Sequence, residues 1–187
     1  YFLGANSPSG FYSLYSELIC PEDARAIYIL KGGPGCGKST VGAALAKRLD
    51  KKFVDLDAEI ERRTGHNIPD IFAQEGEAAF RRYETDVLAE VAKGNSQVIA
   101  CGGGIIKSPA NTRALRQNGP VLWVRRPLEA LATGGRPLSK GGAALKQLEA
   151  ERTPLYEAAS TVVLENNGSL TAAVDKAVQL FEADERL

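Results

Sequence analysis

The chain has 187 residues, enough for one α/β domain with a proper core, and its 23 lysines and arginines balance its 23 aspartates and glutamates. That balance supplies no net field for nucleic acid or an anionic membrane, and no apolar run is long enough to span a bilayer. Cys20, Cys36 and Cys101 lack C-x-x-C spacing and His66 stands alone, which argues against a disulfide framework or a zinc site and leaves a soluble cytoplasmic protein as the expectation.

Residues 1–24 lack the basic start of a signal peptide and are read as an N-terminal extension ahead of one domain at 25–187. Phe11, Leu14, Tyr15, Leu18 and Ile19 have the spacing of an amphipathic helix, stopped by Pro21, which packs on its own domain or meets a neighbour. Next, Ala26-Ile27-Tyr28-Ile29-Leu30 has the unbroken apolar character of a buried parallel strand. Val41, Leu45 and Leu49 then mark one face of a helix. Between strand and helix, over 32–39, runs G-x-x-x-x-G-K-S. Its glycines let successive N–H groups turn toward one anion, and the helix N-terminus adds its dipole and unpaired donors. Lys38 adds a point charge for outer phosphates, and the Ser39 hydroxyl can join a Mg²⁺ shell. A plain glycine-rich turn is the alternative. Lys-Ser at this offset, in this strand–helix context, points instead to a nucleoside triphosphate cradle formed by Gly33, Gly35, Cys36, Gly37, Lys38, Ser39 and Thr40.

Lys52-Phe53-Val54-Asp55-Leu56-Asp57 reads as a second strand ending in acid. Strand alternation places Asp55 and Asp57 on one face, beside the phosphate loop at the carboxyl edge of a doubly wound sheet. Asp57 can also serve as N-cap for a helix over 58–63. Ile68-Pro69-Asp70-Ile71-Phe72 opens a short helix. A longer one over 77–93 carries the stripe Phe80, Tyr83, Val87, Leu88 and Val91, with Gly94 as its stop. Arg81 lies off that stripe, four residues from Glu77, where a surface ion pair would lie. Val98-Ile99-Ala100-Cys101 is a third strand running into Gly102-Gly103-Gly104, which suits either close approach of the main chain or a simple turn. A helix over 109–118 and the strand Pro120-Val121-Leu122-Trp123-Val124 follow, with Trp123 read as core. The polar, glycine-rich stretch at 133–142 carries Arg136 and Lys140 and has the composition of a mobile lid or a linker. A helix from 143 is expected to break or kink at Pro154, ahead of a fifth strand at 161–164 and a closing helix at 169–183.

Strands alternating with helices over crossover-length connections predict a parallel α/β sheet covered on both faces. Over about 27–181, the order of motifs resembles the shikimate kinases, small P-loop kinases of aromatic amino-acid biosynthesis. The resemblance is carried by G-x-x-x-x-G-K-S-T and by Phe53-Val54-Asp55-Leu56-Asp57 with Glu59-Ile60-Glu61. It continues through Ile71-Phe72, Gly76-Glu77, Phe80-Arg81-Arg82 with Glu84, Gly102-Gly103-Gly104, Arg136-Pro137-Leu138 and Arg152-Thr153-Pro154-Leu155-Tyr156. It implies a five-stranded sheet in the order 2-3-1-4-5 and transfer of the ATP γ-phosphoryl group, with Mg²⁺, to a ring hydroxyl of shikimate, giving shikimate 3-phosphate. It further implies that Lys38 and Ser39 hold the phosphates and Mg²⁺, with Asp55 in the metal's outer shell. Asp57 would take the substrate hydroxyls and act as base, and Arg81 and Arg152 would bind the carboxylate, with Gly103 and Gly104 lining the same pocket. Arg136 would close with the lid onto ATP and the transferring group. The partners implied are shikimate and ATP, with no nucleic acid or membrane, and the chain is expected to act as a monomer.

Several positions depart from the family's pattern. Lys31 stands where an apolar residue is usual, and Gly33 replaces a bulkier one. Leu131-Ala132-Thr133 lacks the basic residue often found before the lid arginine, and adenine-contacting residues find no clear match around 166–169. Residues 1 to about 37 resemble the opening of a different bacterial P-loop ATP-binding family, with G-A-N-x-P-x-G-F ahead of I-L-K-G-G-P-G. A fusion within the phosphate loop would account for Lys31 and the extension. Two other functions stay open at this point. One is a kinase for another polyhydroxy acid such as gluconate, against which Arg81, Arg152 and Asp57 together weigh. The other is a nucleotide-binding regulatory module without turnover, against which the full set of catalytic groups weighs.

Overall fold

Short apolar strands alternating with helices set the architecture. The computed structural model describes residues 27–31, 37–126 and 142–182. The extension at 1–24, the loop positions Gly33, Gly35 and Cys36, and the stretch with Arg136 lie outside the described residues. Strand β1 (Ile27–Lys31) is followed by α1 (Lys38–Arg48), β2 (Lys52–Asp55), α2 (Leu56–Thr64), α3 (Ile68–Gln74) and α4 (Gly76–Val91). Then come β3 (Gln97–Cys101), a 3-10 turn (Ile105–Lys107), α5 (Pro109–Asn118) and β4 (Val121–Arg125). After these come α6 (Gly142–Ala159), β5 (Val162–Glu165) and α7 (Leu170–Glu182).

The strands form one parallel sheet in the order β2-β3-β1-β4-β5. β1 is central and pairs Ile29 with Ala100 on one side and Leu122 on the other. Strand side chains alternate faces, so neighbouring residues enter different cores. Ile99, Cys101, Val121 and Trp123 pack with Leu56, Ile60, Phe80, Leu88 and Tyr156. Val98, Leu122 and Val124 pack with Val41, Leu45, Leu164 and Val174 on the opposite side. Both faces of β3 are buried, which is why its sequence is apolar without a break.

Three differences from the sequence reading bear on packing or on the site. β2 stops at Asp55, and α2 begins at Leu56. Asp55 is the cap: its backbone is extended and its Oδ1 accepts the N–H of Asp57 at 3.0 Å and of Ala58 at 3.5 Å. Asp57 therefore sits in the first helical turn, where the dipole favours a carboxylate, and Leu56 turns wholly into the core. Second, α4 ends at Val91, where the chain tightens: the Lys93 and Gly94 N–H groups reach back only three residues, to the Glu90 and Val91 carbonyls.

Third, α6 runs unbroken through Pro154. An internal proline costs a helix about 3 kcal/mol, so both halves need other anchors. Thr153 donates its hydroxyl to the Glu149 carbonyl at 2.8 Å. Arg152 and Tyr156, one on each side of the proline, both hold the Gly103 carbonyl, and Tyr156 stacks on Trp123 at 5.4 Å.

Candidate active site

The carboxyl ends of β2 and β3 meet the N-terminus of α1, and polar side chains gather there. Gly37 takes the left-handed conformation (φ +88°) that turns the chain into α1. A Cβ there would lie 3.0 Å from the Asn166 amide, which places the residue after β5 against the entry to the helix. Sequence reading left the neighbourhood of Asn166 unassigned, since only the fold brings the end of β5 to this loop.

Lys38 points into the site with its Nζ 3.2 Å from Asp57 Oδ2 and 3.5 Å from Asp55 Oδ1. Ser39 donates its hydroxyl to Asp55 Oδ2 at 2.7 Å. Burial disfavours the Lys38 ammonium, but Asp57 and Asp55 more than offset it and hold its pKa above the ordinary lysine value. Burial also opposes charge on Asp55. The Ser39 hydrogen bond, the Lys38 charge and the helix N–H groups overcome it and hold the carboxyl below its usual range. The strand-alternation argument for these two aspartates does not apply, because Asp57 is helical. They reach Lys38 together because one ends the strand and the other opens the helix.

Arg81 projects from α4 toward the glycine turn after β3. Its Nη1 donates to Glu84 Oε2 at 2.8 Å, and its Nη2 to Glu77 Oε1 at 3.1 Å. The Glu77 pair expected from helical spacing is present, but Arg81 is also tied to a carboxylate with only 1 % exposure. Burial pushes the Glu84 carboxyl above its ordinary pKa, and Arg81 offsets part of that. The sequence names Glu84 beside Arg81 but assigns it no contact. Its i+3 spacing from Arg81 was the available signal, but that spacing does not say which side chain is buried.

Two of the three glycines have a steric reason. A Cβ on Gly102 would lie 2.8 Å from Asp57 Oδ1 and 3.0 Å from Glu84 Oε1, and one on Gly104 would fall onto the Arg81 guanidinium. The close-approach reading therefore holds. Between them, the Gly103 carbonyl accepts Arg152 Nη1 at 3.3 Å and the Tyr156 hydroxyl at 2.8 Å. Lys38, Asp57, Arg81, Arg152, Gly103 and Gly104 thus converge from four helices and one turn. Gly33, Gly35, Cys36 and Arg136 lie outside the described residues.

A family model described as shikimate kinase matches residues 34–182. The chain belongs to the shikimate kinase family. It is 38% identical over 167 residues to a shikimate kinase of Aromatoleum aromaticum, covering 83% of this chain and 95% of that one. A shikimate kinase of Nitrosomonas europaea is 41% identical over 160 residues, covering 81% of this chain and 76% of the relative. The solved shikimate kinase of Acinetobacter baumannii, in complex with shikimate, superposes with a TM-score of 0.79 at 38% identity. That match covers 88% of this chain and 96% of the other. The activity is accordingly the ATP-dependent phosphorylation of shikimate. Among the described residues no helix is long and apolar enough to cross a membrane.

Proposed function

We propose that the convergence of Arg81 and Arg152 on the Gly102–Gly103–Gly104 turn, opposite Asp57 and Lys38, forms the substrate pocket and performs the transfer as follows. The two guanidinium groups grip the carboxylate of shikimate from separate helices, which fixes the ring's orientation. Asp57 accepts hydrogen bonds from the ring hydroxyls. As one hydroxyl oxygen bonds to the γ-phosphorus and the bond to the ADP oxygen breaks, Asp57 takes the hydroxyl proton. Gly103 and Gly104 line the same pocket with their backbone, and the bare Gly104 leaves room for the Arg81 guanidinium. ATP lies in the cradle from Gly33 to Thr40, where Lys38 exchanges its aspartates for phosphate oxygens. Arg136 brings a second cation from the lid to the equatorial oxygens, where a loose transition state gathers charge.

The Ser39 hydroxyl and the Asp55 carboxylate, 2.7 Å apart, are hard oxygen donors that fit Mg²⁺, a metal that keeps much of its shell as water and phosphate. When bound, the ion would neutralise charge on the phosphates. We assign the reaction to a monomer in the cytoplasm acting without nucleic acid or membrane. The catalytic domain is taken to be 25–187 and the preceding residues an extension.

ADP release coupled to shikimate tests the pocket. Charge-assisted hydrogen bonds are worth about 1.5–3 kcal/mol, so Arg81→Ala and Arg152→Ala should each lower kcat/KM for shikimate about ten- to a hundredfold. The KM for ATP should barely move. Wild-type shikimate kinetics in both variants would overturn the carboxylate clamp.

A further inference from the structure

The Arg81 guanidinium is already engaged by two carboxylates that differ in their freedom to leave. Glu84, at 1% exposure, is fixed in the core against Nη1. Glu77 is half exposed, and its Oε1 accepts both Nε at 3.3 Å and Nη2 at 3.1 Å. That same oxygen accepts Lys107 Nζ at 2.9 Å, from the 3-10 turn thirty residues along the chain. An incoming substrate carboxylate would be the third anion on one guanidinium. Repulsion among them is relieved at least cost by moving the anion that water can reach and that another cation already holds.

We propose that Glu77 occupies the Nε–Nη2 edge of Arg81 as a stand-in for the substrate carboxylate, and that Lys107 draws it off when substrate binds. Glu77 and Lys107 are then positioning residues that set affinity for the acidic substrate by acting through Arg81. The inference rests on the assignment of Arg81 to that carboxylate. The guanidinium sits where a Cβ on Gly104 would fall, and the buried Glu84 holds its Nη1, so the arginine stays in place while Glu77 leaves. Lys107 matters because a carboxylate released only into solvent returns to Arg81 more readily than one held by an ammonium.

The test is a kinetic cycle on the full-length chain. Glu77→Gln removes the competing charge and should lower KM for shikimate about two- to fivefold, the scale of a solvent-exposed ion pair, with kcat unchanged. Lys107→Ala should raise that KM by a similar factor, since Glu77 then sits more firmly on Arg81. The double variant should match Glu77→Gln alone, because Lys107 acts only through Glu77. KM for ATP and the melting temperature should be near wild type in all three. A rise in KM with Glu77→Gln would overturn the proposal and make Glu77 an orienting partner of Arg81. Additive effects in the double variant would also overturn it. Arg81→Ala run in parallel keeps the two readings apart. If it leaves KM unchanged, the carboxylate clamp fails. If it raises KM while Glu77→Gln lowers nothing, only the exchange fails.

Discussion

At the scale of single residues, Lys38 has the most to lose. It is the cation shared by Asp55 and Asp57, and its side chain is only 10% exposed. Replacing it with alanine deletes a charge that we assign to the transferring phosphoryl group and leaves two carboxylates facing each other. We expect Lys38→Ala to lower kcat at least about a hundredfold, the scale of removing one preorganised group from a transition state. Far-ultraviolet circular dichroism should remain that of the wild type, because Lys38 contributes no apolar side chain to either core. Turnover within about tenfold of wild type, a barrier change of about 1.4 kcal/mol, would remove Lys38 from the mechanism.

At the scale of elements, the junction of β2 and α2 combines a helix cap with the two carboxylates that meet Lys38. Asp55 caps α2 and binds Ser39, so Asp55→Ala should lose the cap, worth about 0.5–2 kcal/mol. For a domain of this size, each kcal/mol moves the melting temperature by about 2–4 °C. The pH dependence has a definite sign. The Asp55 pKa is depressed in the folded state, so its stabilisation is complete above the ordinary value of 3.8 and fades as pH falls through the folded one. The loss caused by Asp55→Ala should thus be largest near neutral pH and shrink in acid, as followed by thermal melts across that range. A deficit independent of pH would mean that the carboxylate charge is not what stabilises the junction.

This junction also marks where the sequence stopped being legible. α5 could be read to its ends, since Ser108 and Pro109 open it and Gly119 follows it; all of its start and stop signals are local. The arginines and the glycine turn were likewise visible, through their order along the chain and their likeness to a family. The exact end of β2 was not, because Leu56 is as apolar as a strand residue and only the Asp55 cap decides the matter. Persistence of α6 through Pro154 depends on Gly103 and Trp123, neither of them near in sequence. The bridge from Lys107 to Glu77 likewise exists only once the sheet has brought two distant segments together.

At the scale of the whole molecule, one chain of contacts runs from the sheet's interior to the Gly102–Gly103–Gly104 turn. Trp123 on β4 is the chain's one tryptophan and is 3% exposed. It stacks on Tyr156 at 20°, and the Tyr156 hydroxyl donates to the Gly103 carbonyl at 2.8 Å, between the glycines that lie against Asp57 and Arg81. The indole N–H has no hydrogen-bond partner among the described residues, so the ring is held by packing and is sensitive to small shifts of Tyr156. On the proposed assignment of Gly103 to the substrate pocket, filling that pocket would press on Gly103 and so on this stack. Shikimate should change the intrinsic fluorescence saturably, with a midpoint that follows its concentration dependence in turnover. Tyr156→Phe keeps the ring and its stacking but removes the shorter of the two hydrogen bonds on the Gly103 carbonyl, leaving only that from Arg152. That variant should fold, lose most of the fluorescence response, and raise KM for shikimate about fivefold, matching a net hydrogen bond of about 1 kcal/mol. A full response in Tyr156→Phe would mean that the signal reaches Trp123 by another route, and that the Tyr156 hydroxyl does not couple the sheet to the site.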